Sequence, residues 1–179
     1  GGYLVTDAQE LIIASLYPRD MNIYGDRGNV LALSRRARAH GFAPRVVEVN
    51  PGDPFPEAVD IVIGGGGQDS GQGRVALDLA ERGNTVRDLA SDGTPMLMVC
   101  GLYQLFGHRF ITYTGEELVG IGVLDVETRG GDERMIGNIV LDSEVFGEII
   151  GYENHCGDTT LGSGSTPLGR VVQGAGNNP

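Results

Sequence analysis

The sequence predicts an α/β fold, a parallel sheet flanked by helices with an antiparallel β extension. Three observations carry this reading. Short apolar runs alternate with amphipathic stretches through the first half of the chain, glycines and prolines punctuate them, and after Phe110 strand-like runs follow one another without helices. With 179 residues, 40% of them hydrophobic, the chain is long enough for a single domain with a real core. Residues 1–179 show neither an internal repeat nor a linker.

The first strand is Leu11–Tyr17, closed by Pro18. Asp26–His40 is a helix, with an apolar stripe of Val30, Leu31, Leu33 and Ala37, a polar face of Arg35, Arg36 and Arg38, and Gly41 as its stop. Arg45–Val49 is a second strand, Asn50–Pro56 a loop, and Val59–Ile63 a third strand that runs into Gly64-Gly65-Gly66-Gly67. Gly73–Ala90 is helical, with a break expected at Gly83-Asn84. Met96–Val99 is the fourth strand and delivers Cys100. Gly120–Thr128, Arg134–Leu141 and Glu148–Glu153 are strands of the antiparallel extension, expected on the edge of the sheet. Gly162–Pro179 is rich in Gly, Ser and Asn, with one short apolar piece at Val171-Val172.

Composition narrows the function classes. A net charge of −11 disfavours nucleic acid and anionic membrane surfaces as partners. No apolar run reaches membrane-spanning length, and no secretory leader is expected from the N-terminal residues. The two cysteines, Cys100 and Cys156, form neither a disulfide framework nor a zinc pattern, so a reducing cytoplasm is the expected compartment. No metal site is expected; Cys156 beside His155 lacks further ligands.

Cys100 ends a buried strand and precedes Gly101 and a helical stretch. A strand that turns sharply into a helix lifts the residue at the turn out of the sheet, next to a helix N-terminus that favours a thiolate. Locally, an inert buried thiol fits as well as a nucleophile. The backbone N–H groups of the Gly64–Gly67 run, Gly66 among them, and of Gly101 can form an oxyanion hole for acyl transfer. A phosphate cradle is the competing reading, but no Gly-Lys-Ser/Thr and no spaced three-glycine fingerprint accompanies the run. Gln104 either reaches back towards a substrate or is a solvated helix residue.

Several separated motifs carry a resemblance. Val99-Cys100-Gly101-Leu102-Tyr103-Gln104, followed by Leu105-Phe106-Gly107, resembles the nucleophile motif of class I glutamine amidotransferases, a family with a flavodoxin-like parallel sheet. Tyr152-Glu153-Asn154-His155 followed by Gly157 resembles the branch related to cobyric acid synthase. Tyr17-Pro18, Met21-Asn22, Tyr24-Gly25-Asp26 and Gly28-Asn29 resemble the glutaminase subunits of lipid II isoglutaminyl synthases, as do Gly65-Gly66-Gly67-Gln68-Asp69 and Arg134–Ile139.

The resemblance implies glutamine hydrolysis through a γ-glutamyl thioester on Cys100, with ammonia passing to a Mur-ligase-like partner (MurT) in a heterodimer. That partner binds ATP and Mg and amidates the D-glutamate α-carboxylate of lipid II to D-isoglutamine; no cofactor is expected in this subunit. Arg134 is implied to hold the L-glutamine α-carboxylate, against the alternative of a surface residue in the acidic run Asp132-Glu133. The family's acid/base histidine is expected beyond Pro179, after the Gly174-Ala175-Gly176-Asn177-Asn178 loop, so the chain reads as truncated and poorly active by itself. His155 is the candidate substitute, though Asn154 and His155 also fit a role in supporting the pocket. His40 and His108 read as structural or exposed. Two alternatives stand beside this reading: the amidotransferase part of a cobyrinate- or cobyrate-type synthase, and a non-catalytic subunit that keeps the pocket.

Overall fold

The computed structural model describes residues 8–23, 25–67 and 69–178, with the backbone alone at 69 and 70. The chain divides into two compact units, Gly1–Tyr103 and Gln104–Pro179.

The first unit contains β1 (Glu10–Leu16), α1 (Arg27–Ala39), β2 (Ala43–Val49), β3 (Ile61–Gly64), α2 (Asp69–Ser91) and β4 (Met96–Met98). The strands form one sheet in the order β2-β1-β3-β4, every pair parallel. β1 is buried without interruption from Ile12 to Leu16. Successive strand residues point to opposite faces, so unbroken burial requires cover on both. On one face Ile13 and Ile63 pack with Val30 of α1, joined by Leu11, Leu33 and Ile61. α2 buries Val75, Leu79 and Val86, residues that recur at helical spacing.

Helix α1 closes as its sequence requires. Gly41 takes φ 86, Gly41 N–H donates to Arg38 O (3.0 Å) and Phe42 N–H to Ala37 O (3.0 Å), the paired bonds of a Schellman end. Helix α2 runs through Gly83-Asn84 without the expected break. Gly83 is buried, so the missing side chain serves packing, and the length of the helix carries the ~1 kcal/mol by which glycine disfavours helix. No described helix is long and apolar enough to cross a membrane.

Helix α3 (Gly101–Phe106) begins in the first unit and ends in the second. The second unit then holds β5 (Arg109–Ile111), β6 (Glu117–Val119), β7 (Val126–Ser143), β8 (Gly147–Leu161) and β9 (Arg170–Gln173). These strands form a sheet of their own, ordered β6-β5-β7-β8 with β9 also on β7. The expected antiparallel extension is therefore a separate ladder, and one of its pairs, β5 with β7, is parallel. The expected strands at Arg134–Leu141 and Glu148–Glu153 are parts of a long ribbon, β7 with β8, whose register shifts between Gly130 and Met135. Most of Gly120–Thr128 is not strand. Ile121, Gly122 and Leu124 donate their N–H groups to the carbonyls of Leu105, Gly107 and Phe106, each at 2.9 Å. The segment thus satisfies carbonyls that the end of α3 leaves open, and strand begins only at Val126.

Candidate active site

β4 ends at Met98, α3 begins at Gly101, and Cys100 lies between them at φ 53. A non-glycine residue in the left-handed region is strained, and strain at a strand-to-helix turn is the mark of a nucleophile elbow. The turn is fastened to the end of β3: Val99 N–H donates to Gly64 O (2.9 Å) and Leu102 N–H to Gly65 O (3.2 Å). The glycines are needed for this approach. A Cβ on Gly64 would collide with Leu102 Cδ1; one on Gly101 would lie 2.6 Å from Gln72 Nε2 and 2.8 Å from Met21 Cε. Cys100 is half-buried.

The same construction places the Gly67 nitrogen 3.4 Å from the Cβ position of Gly101. The glycine run and the elbow therefore adjoin, through Gly67. Gly67 supplies an N–H at that junction that sequence reasoning did not single out. Gly66 turns its carbonyl to Ile23 N–H (3.3 Å). Two further residues were missed. Gln72, 2% exposed, brings its amide beside Gly101, and Met21, 1% exposed, packs against both Gly67 and Gly101. The position of Gln72 one turn into the helix after a glycine run was an available signal; nothing marked Met21 beyond its place in a motif. Tyr24 and Gln68, which belong to the quoted motifs, lie outside the described residues.

The second unit gathers the other expected residues around β8. Arg134 donates from Nη1 to Asn154 Oδ1 at 2.8 Å. Gln104 places Nε2 3.0 Å from where a Gly157 Cβ would stand. His155 meets the Gly157 carbonyl through Nδ1 (3.2 Å) and Glu153 Oε2 through Nε2 (3.2 Å). Both ring nitrogens face acceptors, so neither is open to a substrate unless one of these bonds breaks. That geometry suits the supporting role for His155.

Glu153 is the unexpected member. It is 8% exposed, and its carboxylate accepts from Ala175 N–H and Gly176 N–H, each at 2.8 Å. Burial pushes its carboxyl up, but the two backbone N–H groups and His155 outweigh burial and hold it below the usual carboxylate range. With Thr159 N–H donating to Asn177 O (2.6 Å), the Gly174–Asn178 loop is pinned to β8 at two points. His40 caps the end of α1, and His108 is exposed and paired with Asp125 Oδ1 at 2.9 Å. Among the described residues no group of three or more His, Cys, Asp and Glu could hold a metal ion.

A family model for the CobB/CobQ-like glutamine amidotransferase domain matches residues 12–179. The chain belongs to the CobB/CobQ-like glutamine amidotransferases. This amidotransferase is 40% identical over 171 residues to the lipid II isoglutaminyl synthase (glutamine-hydrolyzing) subunit GatD of Staphylococcus aureus (strain N315), covering 94% of the chain and 69% of that protein. It is 38% identical over 172 residues to the GatD subunit of Streptococcus pneumoniae (strain ATCC BAA-255 / R6), covering 94% of the chain and 66% of that protein. It thus spans about two thirds of the length of these relatives. Similarity to the cobyric acid synthase of Pelotomaculum thermopropionicum is 33% over 146 residues, with 28% of that protein covered. Among solved structures, PurLQS from Thermotoga maritima shares the fold, with a TM-score of 0.61 at 13% identity over 94% of this chain and 77% of the other.

Proposed function

We propose that this amidotransferase hydrolyses L-glutamine through Cys100 and supplies ammonia for amidation of lipid II. The observation that supports it most is the strained Cys100 at φ 53, set at a turn that the glycine run adjoins. The thiolate attacks the γ-carboxamide carbon of glutamine. The carbonyl oxygen takes up negative charge, and N–H groups of the Gly66–Gly67 segment and Gly101 stabilise it. The tetrahedral intermediate collapses to a γ-glutamyl thioester and expels ammonia, which takes a proton from a general acid. Water then attacks the thioester, releasing glutamate and restoring the thiol. Arg134, oriented by Asn154, holds the α-carboxylate of glutamine, with Gln104 as a second polar group of the substrate site. His155, with both ring nitrogens against the Gly157 carbonyl and Glu153, supports the pocket.

The two GatD relatives carry the rest of the reading. Their names describe a subunit of lipid II isoglutaminyl synthase, so the ammonia acceptor in this proposal is a Mur-ligase-like subunit of the MurT kind. That partner binds ATP and Mg, activates the D-glutamate α-carboxylate of lipid II, and receives the ammonia in a heterodimer. Reconstitution with the ligase partner tests both halves. A Cys100→Ala complex is expected to lose amidation driven by glutamine and keep amidation driven by ammonium chloride. Glutamine-driven amidation that survives Cys100→Ala would refute the thioester route; loss with both nitrogen sources would assign Cys100 to the assembly of the complex.

A further inference from the structure

The parallel sheet carries a second feature that glutamine hydrolysis leaves unused. In the order β2-β1-β3-β4 the chain leaves β1 to one side and returns on the other, so the carboxyl ends of β1 and β3 flank a topological switch point. Ligand crevices in open α/β sheets form at such points. Here the switch point opens into a cavity of about 590 Å³, floored by Ser15, Leu16 and Ile63 and walled by Val30 and Ser34 of α1. That volume lies in the range of small-molecule sites. Cys100 is not among its lining residues, although Met21, Gly64 and Gly65, which also touch the elbow, are.

Two polar atoms on the wall are buried without a partner, Asp26 Oδ2 and Ser34 Oγ. Their residues are 8% and 5% exposed. Asp26 occupies the N-cap position of α1 yet makes no capping hydrogen bond. Its carboxylate instead packs against Gly65, so closely that a Cβ there would collide with it. An aspartate that forgoes its cap and buries an unpaired oxygen has a partner to find elsewhere. Arg19, Arg27 and Arg38 line the same cavity, with Glu48 as the one acidic lining residue besides Asp26, and Leu31 and Val46 add apolar surface. The loop that carries Arg19 starts at Tyr17, which is held at φ 52 with its hydroxyl bonded to Asp78 Oδ2, so the entrance is built rather than slack.

We propose that this cavity is a second ligand site, for a small organic anion that also carries a hydroxyl or amine donor. The anionic group lies among Arg19, Arg27 and Arg38; the donor satisfies Asp26 Oδ2, and Ser34 Oγ completes the set. An inorganic anion without a donor, such as sulfate, would leave Asp26 unsatisfied, and an uncharged polyol would leave the arginines without a partner.

Amide chemical-shift titration of the labelled chain tests this with glycerol 3-phosphate and with glycerate, which put phosphate and carboxylate on similar hydroxylated frames. Sulfate and glycerol serve as half-ligands, one with the charge and no donor, the other with donors and no charge. The expected result is saturable shifts at Ser34, Arg38 and Gly65 with at least one organic anion, about tenfold tighter than with either half. The stronger arm identifies the anionic group. Arg38→Ala, at an exposed position, and Ser34→Ala are each expected to weaken binding by about tenfold while the rest of the spectrum is unchanged. Absence of saturable shifts with both organic anions would overturn the proposal. So would equal affinity for sulfate, or titrations that both variants leave intact.

Discussion

Tyr17 donates its phenolic hydrogen to Asp78 Oδ2 at 2.8 Å, joining the end of β1 to the middle of α2 across 61 residues of sequence. Asp78 also accepts from Arg82 Nε (2.5 Å) and Gly52 N–H (2.8 Å), and Arg82 donates to the carbonyl of Asp53 (2.6 Å). One carboxylate therefore ties together two loops and a helix on the side of the sheet where the strands end. Tyr17→Phe removes one of its donors and is expected to destabilise the fold by about 1–2 kcal/mol, read from denaturant midpoints at unchanged m-value.

Acid should undo the same network. Burial pushes Asp78 up, but Arg82, the Gly52 N–H and Tyr17 hold its carboxyl below the usual carboxylate range, and Glu153 is held down likewise by Ala175, Gly176 and His155. A depressed folded pKa contributes stability that is complete above the unfolded value of ~4 and is lost as pH falls through the folded one. Unfolding free energy should therefore decline below about pH 4. Glu153→Gln should make that decline shallower and raise hydrogen exchange at Ala175 and Gly176; exchange there that matches the parent protein would contradict the anchor.

The strain at Cys100 can be isolated by comparing two variants that both lack the thiol. Cys100→Gly is expected to be more stable than Cys100→Ala by about 1–2 kcal/mol, because only alanine meets the left-handed penalty at φ 53. Equal stabilities would mean that the elbow is not strained in solution.

Gly101→Ala should fold and fail to catalyse. Its methyl group meets Gln72 and Met21 where the glycine run and the elbow adjoin, so glutamine-driven ammonia release should fall by about 100-fold or more. Full activity would place the oxyanion donors elsewhere.

Arg134→Ala should raise KM for glutamine by about tenfold with a smaller change in kcat, and Arg134→Lys should not restore it, because an ammonium cannot reproduce the guanidinium fork. A KM unchanged in both variants would make Arg134 a ribbon residue that serves only Asn154.

In the parallel half, β1 and β3 were legible because they are buried and read as plain apolar runs, and Leu11–Tyr17 lands within a residue of β1; β4, expected as a buried strand before Cys100, instead leaves Leu97 50% exposed. The misread element there, α2, hid a glycine on its buried side. The ribbon was harder to read. β7 passes through Gly130-Gly131-Asp132-Glu133, residues that ordinarily end a strand, and the long ladder with β8 carries it past them. In the site, Cys100 and Gly101 were visible because the elbow is a local pattern. Glu153 was not singled out, since its partners besides His155 are backbone N–H groups more than twenty residues away, which no side-chain pattern announces.

The central claim is a reactive Cys100 in a glutamine pocket. Labelling with a glutamine-like electrophile, with and without competing glutamine and followed by peptide mapping, addresses it directly. Selective modification of Cys100 that glutamine blocks is expected, with Cys156 left untouched. Labelling shared equally between Cys100 and Cys156, or indifferent to glutamine, would contradict it.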